Sequence, residues 1–119
     1  MWIYRQKRHE LHRGETLVAS DCYSGFGDYK NDPLAQHLKN EGPIPQGAYW
    51  IGEPYDTPTH GPFVMNLIPV PYSETFGRSG FLIHGDNADH TASHGCVILR
   101  RETREQIGNS RDKLFVVLP

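Results

Sequence analysis

Short apolar segments alternate with polar, glycine- or proline-containing stretches along the whole chain. Residues 2–4 and 16–20 are rich in β-branched and aromatic side chains and flank a polar stretch over residues 6–15, a pattern that predicts an opening β-hairpin. The next stretch, residues 23–33, is dense in Gly, Asn and Asp, which predicts a loop. The chain is therefore expected to begin as short strands joined by turns.

The same pattern continues to the C-terminus. Further strands are predicted over residues 48–52, 63–68, 81–84, 95–99 and 113–118. An amphipathic helix is predicted over residues 100–109, because Thr103 and Ile107 lie one turn apart. Asp32 and the proline after it predict the start of a shorter helix over residues 33–40. The expected fold class is mainly β, with one or two short helices.

Length and charge narrow the functions that the chain can serve. Its 119 residues suffice for one small domain spanning residues 1–119. The net charge of −2 comes without a basic stripe, so nucleic acid is not an expected partner.

The apolar runs are far shorter than the roughly 20 residues that span a bilayer, so membrane insertion is not expected. The start of the chain lacks the apolar stretch of a secretory signal peptide, so we expect synthesis in the cytoplasm.

The candidate chemistry is concentrated in residues 83–97, which hold three His, two Asp, one Ser and one Cys. A cysteine becomes a nucleophile when a nearby base or positive charge favours its thiolate, and His84 and His94 are the candidate bases for Cys96. Gly95 lets the backbone turn so that its own amide and that of the cysteine can face a developing oxyanion. A thiol with apolar neighbours is ordinarily a core group, but this polar density favours acyl transfer through a thioester.

The order of these residues carries a family resemblance. The pair His84-Gly85, followed after a polar loop by Ser93-His94-Gly95-Cys96-Val97, resembles the active-site signature of the YkuD-type L,D-transpeptidase domain. Further segments resemble one compact branch of that family, which contains type VI secretion effectors that attack peptidoglycan. These segments are Tyr23-Ser24-Gly25, Asn31-Asp32-Pro33, residues 42–49 and residues 77–81. The similarity covers nearly the whole chain.

The resemblance implies a β-sandwich, a nucleophile at Cys96 and a general base at His84. Ser93, His94 and Gly95 correspond to the motif residues that shape the catalytic pocket of the family. The implied reaction acylates the cysteine with the L-centre of meso-diaminopimelate in a tetrapeptide stem and releases the terminal D-Ala. Water, a free D-amino acid or the amine of another stem then resolves the thioester, and no cofactor is needed. The implied protein is an L,D-carboxypeptidase or L,D-transpeptidase that acts as an antibacterial toxin.

The resemblance also implies partners and a substrate-binding set. Peptidoglycan stem peptides are the implied substrate, the periplasm of a target bacterium is the implied site of action, and an immunity protein is an implied partner. The larger family usually has an Arg two residues after the Cys, where this chain has Ile98. Arg78 and Arg100 are candidate replacements for binding a substrate carboxylate, and Arg78 is favoured because it precedes the strand that carries the base. Tyr23 and Ser24 are also expected to contact substrate.

Two other functions stay open. A non-catalytic peptidoglycan-binding module would keep the pocket without the chemistry. A zinc hydrolase would take its ligands from His84, Asp86, His90 and His94. Their spacing of two, four and four residues matches no common zinc motif, so no metal is expected.

Two features of the sequence allow two interpretations each, and a group of histidines allows none. Cys22 is either a small buried residue or a disulfide partner of Cys96. The segment over residues 54–62 contains three prolines and is either a mobile lid or a protected sheet edge. The remaining histidines, His9, His12, His37 and His60, carry no readable signal.

Overall fold

Strands make up most of the regular structure in the computed structural model, which describes residues 1–119. The strands are β1 (Trp2–Arg5), β2 (Glu10–Arg13), β3 (Thr16–Ala19), β4 (Tyr23–Ser24), β5 (Gly47–Ile51), β6 (Tyr55–Thr57), β7 (Gly61–Pro69), β8 (Leu82–His84), β9 (Val97–Ile98) and β10 (Leu114–Leu118). The single α-helix is α1 (Arg101–Gly108), and 3₁₀ turns cover Gly27–Tyr29 and Pro33–Ala35. The predicted mainly β class with short helices is confirmed. No helix is long or apolar enough to cross a membrane.

Nine of the strands form one hydrogen-bonded path, and the tenth joins it at the side. The order along the path is β3-β2-β1-β10-β5-β7-β8-β9-β4, and β6 pairs with β7. The pairs β1–β10 and β8–β9 are parallel, while the other neighbours run antiparallel. Parallel pairing of β8 with β9 sets Ile83 opposite Val97, so Cys96, which precedes β9, lies level with the start of β8, two residues before His84.

One hydrophobic cluster of 16 buried residues holds the fold together. It takes Trp2 and Leu11 from one end of the strand path, Phe115 from the middle, and Ile83 and Val97 from the other end. Because residues from distant strands share one cluster, the sheet folds over on itself and encloses the core. Complete burial of a side chain as large as that of Phe115 contributes roughly 1.5–3 kcal/mol to stability.

The N-terminal region departs from the predicted hairpin. Strand β2 lies between β1 and β3, pairing Tyr4 with Leu11 and Leu11 with Ala19. Residues 6–15 therefore contain a strand, and the prediction of a single turn there is wrong. The strand forms because Leu11 is fully buried in the core, so that one apolar side chain suffices to anchor an otherwise polar segment.

One further segment differs from its predicted structure, and another takes a structure that the sequence left open. The helix expected over residues 33–40 is only the 3₁₀ turn Pro33–Ala35, in which Asp32 accepts a hydrogen bond from the Leu34 N–H. Leu34 is 85% exposed, so this segment has no apolar stripe to bury and a longer helix gains nothing from packing. The proline-containing segment over residues 54–62 contributes β6 and the start of β7, which together form a hairpin.

Candidate active site

The ends of β8 and β9 bring the predicted nucleophile and base into one cleft. His84 is the last residue of β8 and pairs in register with Ile98, while Cys96 immediately precedes β9. The cleft has a volume of about 260 Å³. The side chains that line it include those of Lys39, His60, Arg78, His84, His94 and Cys96. His84 and Cys96 thus line one cleft, as expected, but they do so from the end of β8 and the start of β9 and not from one edge of the sheet.

The environment of His84 sets both its tautomer and its charge. The side chain is 4% exposed, and its Nδ1 lies 2.8 Å from the carbonyl oxygen of Gly85. Because a carbonyl can only accept, Nδ1 carries the proton and Nε2 keeps its lone pair. Burial lowers the pKa of His84, and the positive charge of Arg104 and the neighbouring His60 lower it further. The imidazole is therefore a neutral base at neutral pH.

Cys96 is held as a protonated thiol. Burial raises its pKa, and the Leu82 N–H and the Arg78 charge only partly oppose that effect. The sulfur lies 4.0 Å from the carbonyl oxygen of Gly80 and makes no hydrogen bond to His84. The resting site is thus a neutral thiol beside a neutral imidazole, and proton transfer must accompany attack once substrate brings the two groups together.

Ser93 fixes the loop that presents the nucleophile. Its side chain is fully buried, and its hydroxyl accepts hydrogen bonds from the N–H groups of Gly25 (2.9 Å) and Gly95 (3.2 Å). The same hydroxyl donates to the carbonyl oxygen of Cys96 at 2.6 Å. Ser93 therefore lies behind the cleft and positions the nucleophile, without reaching the cleft itself.

Tyr23 and Ser24, which were expected to contact substrate, lie outside the cleft. The Ser24 hydroxyl accepts from the Ile44 N–H and donates to the Gly95 carbonyl. The Tyr23 hydroxyl donates to Asp86 at 2.5 Å. Both hydroxyls are engaged in buried or half-buried internal hydrogen bonds, which tie the loops around the site together. Contact of these residues with substrate stays a prediction.

Gly95 is required where the loop passes the buried guanidinium of Arg78. Its φ is +133°, and a Cβ built on it would lie 2.5 Å from Nη2 of Arg78. Its N–H already donates to Ser93, so it is not free for an oxyanion as the sequence suggested. The Cys96 N–H makes no backbone hydrogen bond and is the amide left to bind a developing negative charge.

Arg78 forms part of the cleft wall and is 6% exposed. Its Nη1 donates to the carbonyl oxygens of Gln36 and Pro43, and its Nη2 donates to that of Gly42. No carboxylate pairs with it, so its charge acts on the thiol beside it. The other candidate, Arg100, pairs with Asp21 away from the cleft.

His94 lines the cleft but does not contact the thiol. Its Nδ1 lies 3.0 Å from the carbonyl oxygen of Asn40, and its ring stacks on Phe26 with centroids 4.8 Å apart. These contacts hold the ring at the rim of the cleft. His94 is therefore placed to contact substrate, while His84 alone of the two candidate bases is buried.

Two cleft residues carried no signal in the sequence. Lys39 is exposed in the cleft and has no ion-pair or hydrogen-bond partner. His60 reaches the cleft from the turn between β6 and β7. No Asp or Glu lines the cleft, so its charge is positive. Only the fold brings these residues to the site, since neither lies near residues 83–97 in sequence.

The residues considered as zinc ligands do not converge. Asp86 accepts hydrogen bonds from Tyr23 and pairs with His90 at 2.6 Å, whereas His94 contacts Asn40. No group of three or more His, Cys, Asp or Glu side chains is placed to hold a metal ion. The zinc hydrolase alternative therefore lacks a ligand set.

The second cysteine is remote from this chemistry. Cys22 is 1% exposed within the hydrophobic cluster, and both cysteines are free thiols. Burial raises the pKa of Cys22 to about 12, so this thiol is inert at neutral pH.

The sequence of the chain matches a known domain over most of its length. Residues 19–115 match the Tlde1 domain, and no curated protein matches the chain significantly. The matched residues include every strand from β4 to β9, the helix and the whole cleft. The chain therefore belongs to the Tlde1 domain family, a type VI secretion effector family of L,D-transpeptidase-like toxins that target peptidoglycan.

Proposed function

We propose that this protein cleaves or exchanges the terminal D-Ala of peptidoglycan tetrapeptide stems through a thioester on Cys96. The observation that carries the proposal is one cleft that holds a thiol, a buried imidazole with a free Nε2, and an unpaired amide N–H at the nucleophile. These are the parts that an acyl transfer needs: a nucleophile, a base and an oxyanion donor.

The acylation step follows from the protonation states of the site. Nε2 of His84 takes the thiol proton as the sulfur of Cys96 attacks the carbonyl carbon at the L-centre of meso-diaminopimelate. The Cys96 N–H donates to the oxyanion of the tetrahedral intermediate. The C–N bond then breaks, the imidazolium gives its proton to the leaving amine, and D-Ala departs. The products are a thioester and a neutral His84.

The second step reverses the roles of the two groups. His84 takes a proton from water or from an amine as that acceptor attacks the thioester carbonyl. The C–S bond breaks, and the sulfur of Cys96 recovers a proton from the imidazolium. Water yields a tripeptide stem, a free D-amino acid yields an exchanged stem, and the amine of a second stem yields a cross-link.

The charge of the cleft suits a substrate that ends in a carboxylate next to the scissile bond. Arg78 and Lys39 supply positive charge, and no acidic side chain opposes it. Three N–H groups of Arg78 are already bonded to carbonyl oxygens, whereas the ammonium group of Lys39 has no protein partner. We therefore propose that the D-Ala carboxylate binds chiefly to Lys39 and that the positive charge of Arg78 attracts it electrostatically.

The test is mass spectrometry of tetrapeptide muropeptides after incubation with the protein, with and without a free D-amino acid. The wild type is expected to release or exchange D-Ala, and Cys96→Ala is expected to do neither. Cys22→Ala is the matched control, because it removes the other thiol and leaves the cleft intact. Release of D-Ala by Cys96→Ala would contradict the thioester mechanism. Muropeptide binding without any turnover by the wild type would instead support a binding module.

Our proposals for the site of action and the partner are supported by the family and not by the geometry of the cleft. The proposed site of action is the periplasm of a target bacterium, and the proposed partner is an immunity protein that protects the producing cell. Expression with a fused periplasmic signal is expected to stop growth, whereas cytoplasmic expression is expected to be tolerated. Equal toxicity from both compartments would contradict this part of the proposal.

A further inference from the structure

The turn between β6 and β7 places a second imidazole against the catalytic base. The ring centroids of His60 and His84 lie 4.9 Å apart, with an angle of 54° between the rings. His60 lines the cleft on the side of Cys96 and also the adjoining depression beside Asp86. The contact is therefore made at the exposed side of an otherwise buried histidine.

The turn that carries His60 is held in place by its own side chains. Nδ1 of His60 lies 3.0 Å from the hydroxyl of Thr59, which in turn lies 3.1 Å from the hydroxyl of Thr57. Across the hairpin, Asp56 accepts a hydrogen bond from the Phe63 N–H at 3.0 Å. These contacts fix the orientation of the His60 ring and leave its Nε2 without a protein partner.

Arg104 of α1 joins the hairpin to the strand that carries His84. Its Nη1 donates to the carbonyl oxygens of Pro62 (2.8 Å) and Phe63 (3.1 Å) at the start of β7. The same guanidinium packs on Gly85, where a Cβ would lie 2.9 Å from Nη2. One buried side chain thus sets the distance between the hairpin and the end of β8.

From this arrangement we propose that His60 is a positioning residue for His84: it covers the ring, excludes water from it and keeps it neutral as the pH falls. The inference rests on the proposed function, in which neutral His84 is the base. His60 acts through His84 and is not required to touch the reacting atoms.

Every charged or titratable group that faces His84 enters this balance. The hairpin contributes His60, α1 contributes Arg104, and the loop after β8 contributes Asp86. The remaining cleft wall contributes Cys96, Arg78, Lys39 and His94. Arg104 and His60 oppose an imidazolium at His84, whereas the Gly85 carbonyl and Asp86 favour it. Removing His60 both exposes His84 to water and removes a like charge. Both changes raise the pKa of His84.

The direct test is an NMR titration of the His84 ring in the full-length protein without substrate. His60→Ala is expected to move the His84 midpoint to higher pH, and His60→Phe, which keeps a ring without a charge, is expected to move it less. His9→Asn is the matched control, because His9 is an exposed turn histidine with a φ of +57° that Asn tolerates. An unchanged His84 midpoint in folded His60→Ala would overturn the proposal.

The pH profile of D-Ala release provides the second readout. The acidic limb of kcat/KM is expected to shift to higher pH in His60→Ala, with kcat reduced a few-fold and KM nearly unchanged. If that variant loses structure, Thr59→Val removes only the hydroxyl that orients His60 and is expected to shift the limb in the same direction. An unmoved limb in both variants would reject the positioning role. If the wild type releases no D-Ala while the His84 midpoint still shifts in His60→Ala, only the proposed reaction is rejected and the positioning role of His60 stands.

Discussion

The nucleophile and the base of this cleft are positioned by two different kinds of structure. Cys96 is positioned by a short loop in which the Ser93 hydroxyl makes hydrogen bonds to three backbone groups. His84 is set by burial and by contacts from elements far away in sequence, the hairpin with His60 and the helix with Arg104. A dense local hydrogen-bond network therefore fixes where attack begins, while long-range packing fixes the charge of the base.

Loss of the base is expected to have the largest effect among the residues that position or assist the nucleophile. His84→Gln is expected to lower the rate of D-Ala release by about 10²–10⁴-fold, because positioned proton transfer contributes about that much. The measurement is the initial rate of D-Ala release at saturating muropeptide. His37→Gln, at an exposed histidine outside the cleft, is the matched control. A less than tenfold loss in His84→Gln would show that another group serves as the base.

The local network is expected to affect stability as well as rate. Ser93→Ala leaves the Gly25 N–H and the Cys96 carbonyl without their buried partner, which costs about 2–4 kcal/mol of unfolding free energy. Urea denaturation measures this loss, and Ser79→Ala, at an exposed serine in the cleft, is expected to change stability little. Equal stability of the two variants would show that Ser93 does not hold the loop.

The positive charge of the cleft is expected to act mainly on substrate binding. Lys39→Glu should raise KM for the tetrapeptide by about five- to tenfold, because an exposed ion pair of about 1 kcal/mol is replaced by repulsion. The value of kcat should change little, since Lys39 lies apart from the groups that move protons. Lys7→Glu makes the same charge change at an exposed turn away from the cleft. Equal KM values for both variants would exclude Lys39 as the carboxylate contact.

The smallest expected effect is on the rate at which the resting Cys96 thiol is alkylated. Because burial raises the pKa of Cys96, little thiolate is present at neutral pH. Alkylation by iodoacetamide should therefore be slow near pH 7, and it should accelerate as the pH rises beyond the ordinary thiol range. Peptide mass spectrometry can follow Cys96 separately from the inert Cys22. Fast alkylation at pH 6 would indicate a thiolate–imidazolium pair instead.

The two parts of the site also differ in how far the sequence predicts them. The loop around Cys96 is contiguous, so Ser93, His94 and Gly95 stand out as a motif even though the hydroxyl of Ser93 serves the backbone. His60 and Lys39 come from segments distant from that motif, and an isolated histidine or lysine carries no pattern by itself. His60 reaches the cleft only because β6 pairs with β7, and Lys39 lines it from the segment before β5.

The strands and helices can likewise be predicted from the sequence only in part. Strands with several apolar residues, such as β7 and β10, were predicted from pattern alone. Strand β2 was missed because it buries a single apolar residue, Leu11, in a polar segment. The helix over residues 33–40 was predicted from capping chemistry, but Asp32 caps only one turn. Local signals identify where an element can begin, and burial decides whether it continues.

In the proposed reaction, Cys96 carries the acyl group during turnover. Rapid quenching in acid, followed by intact-protein mass spectrometry, detects such an adduct directly. We expect wild-type protein mixed with a tetrapeptide stem to gain, on Cys96, the mass of that stem minus D-Ala, and we expect Cys96→Ala to gain nothing. If the wild type released D-Ala without forming an adduct, and if Cys96→Ala were fully active, these results would contradict a thioester on Cys96.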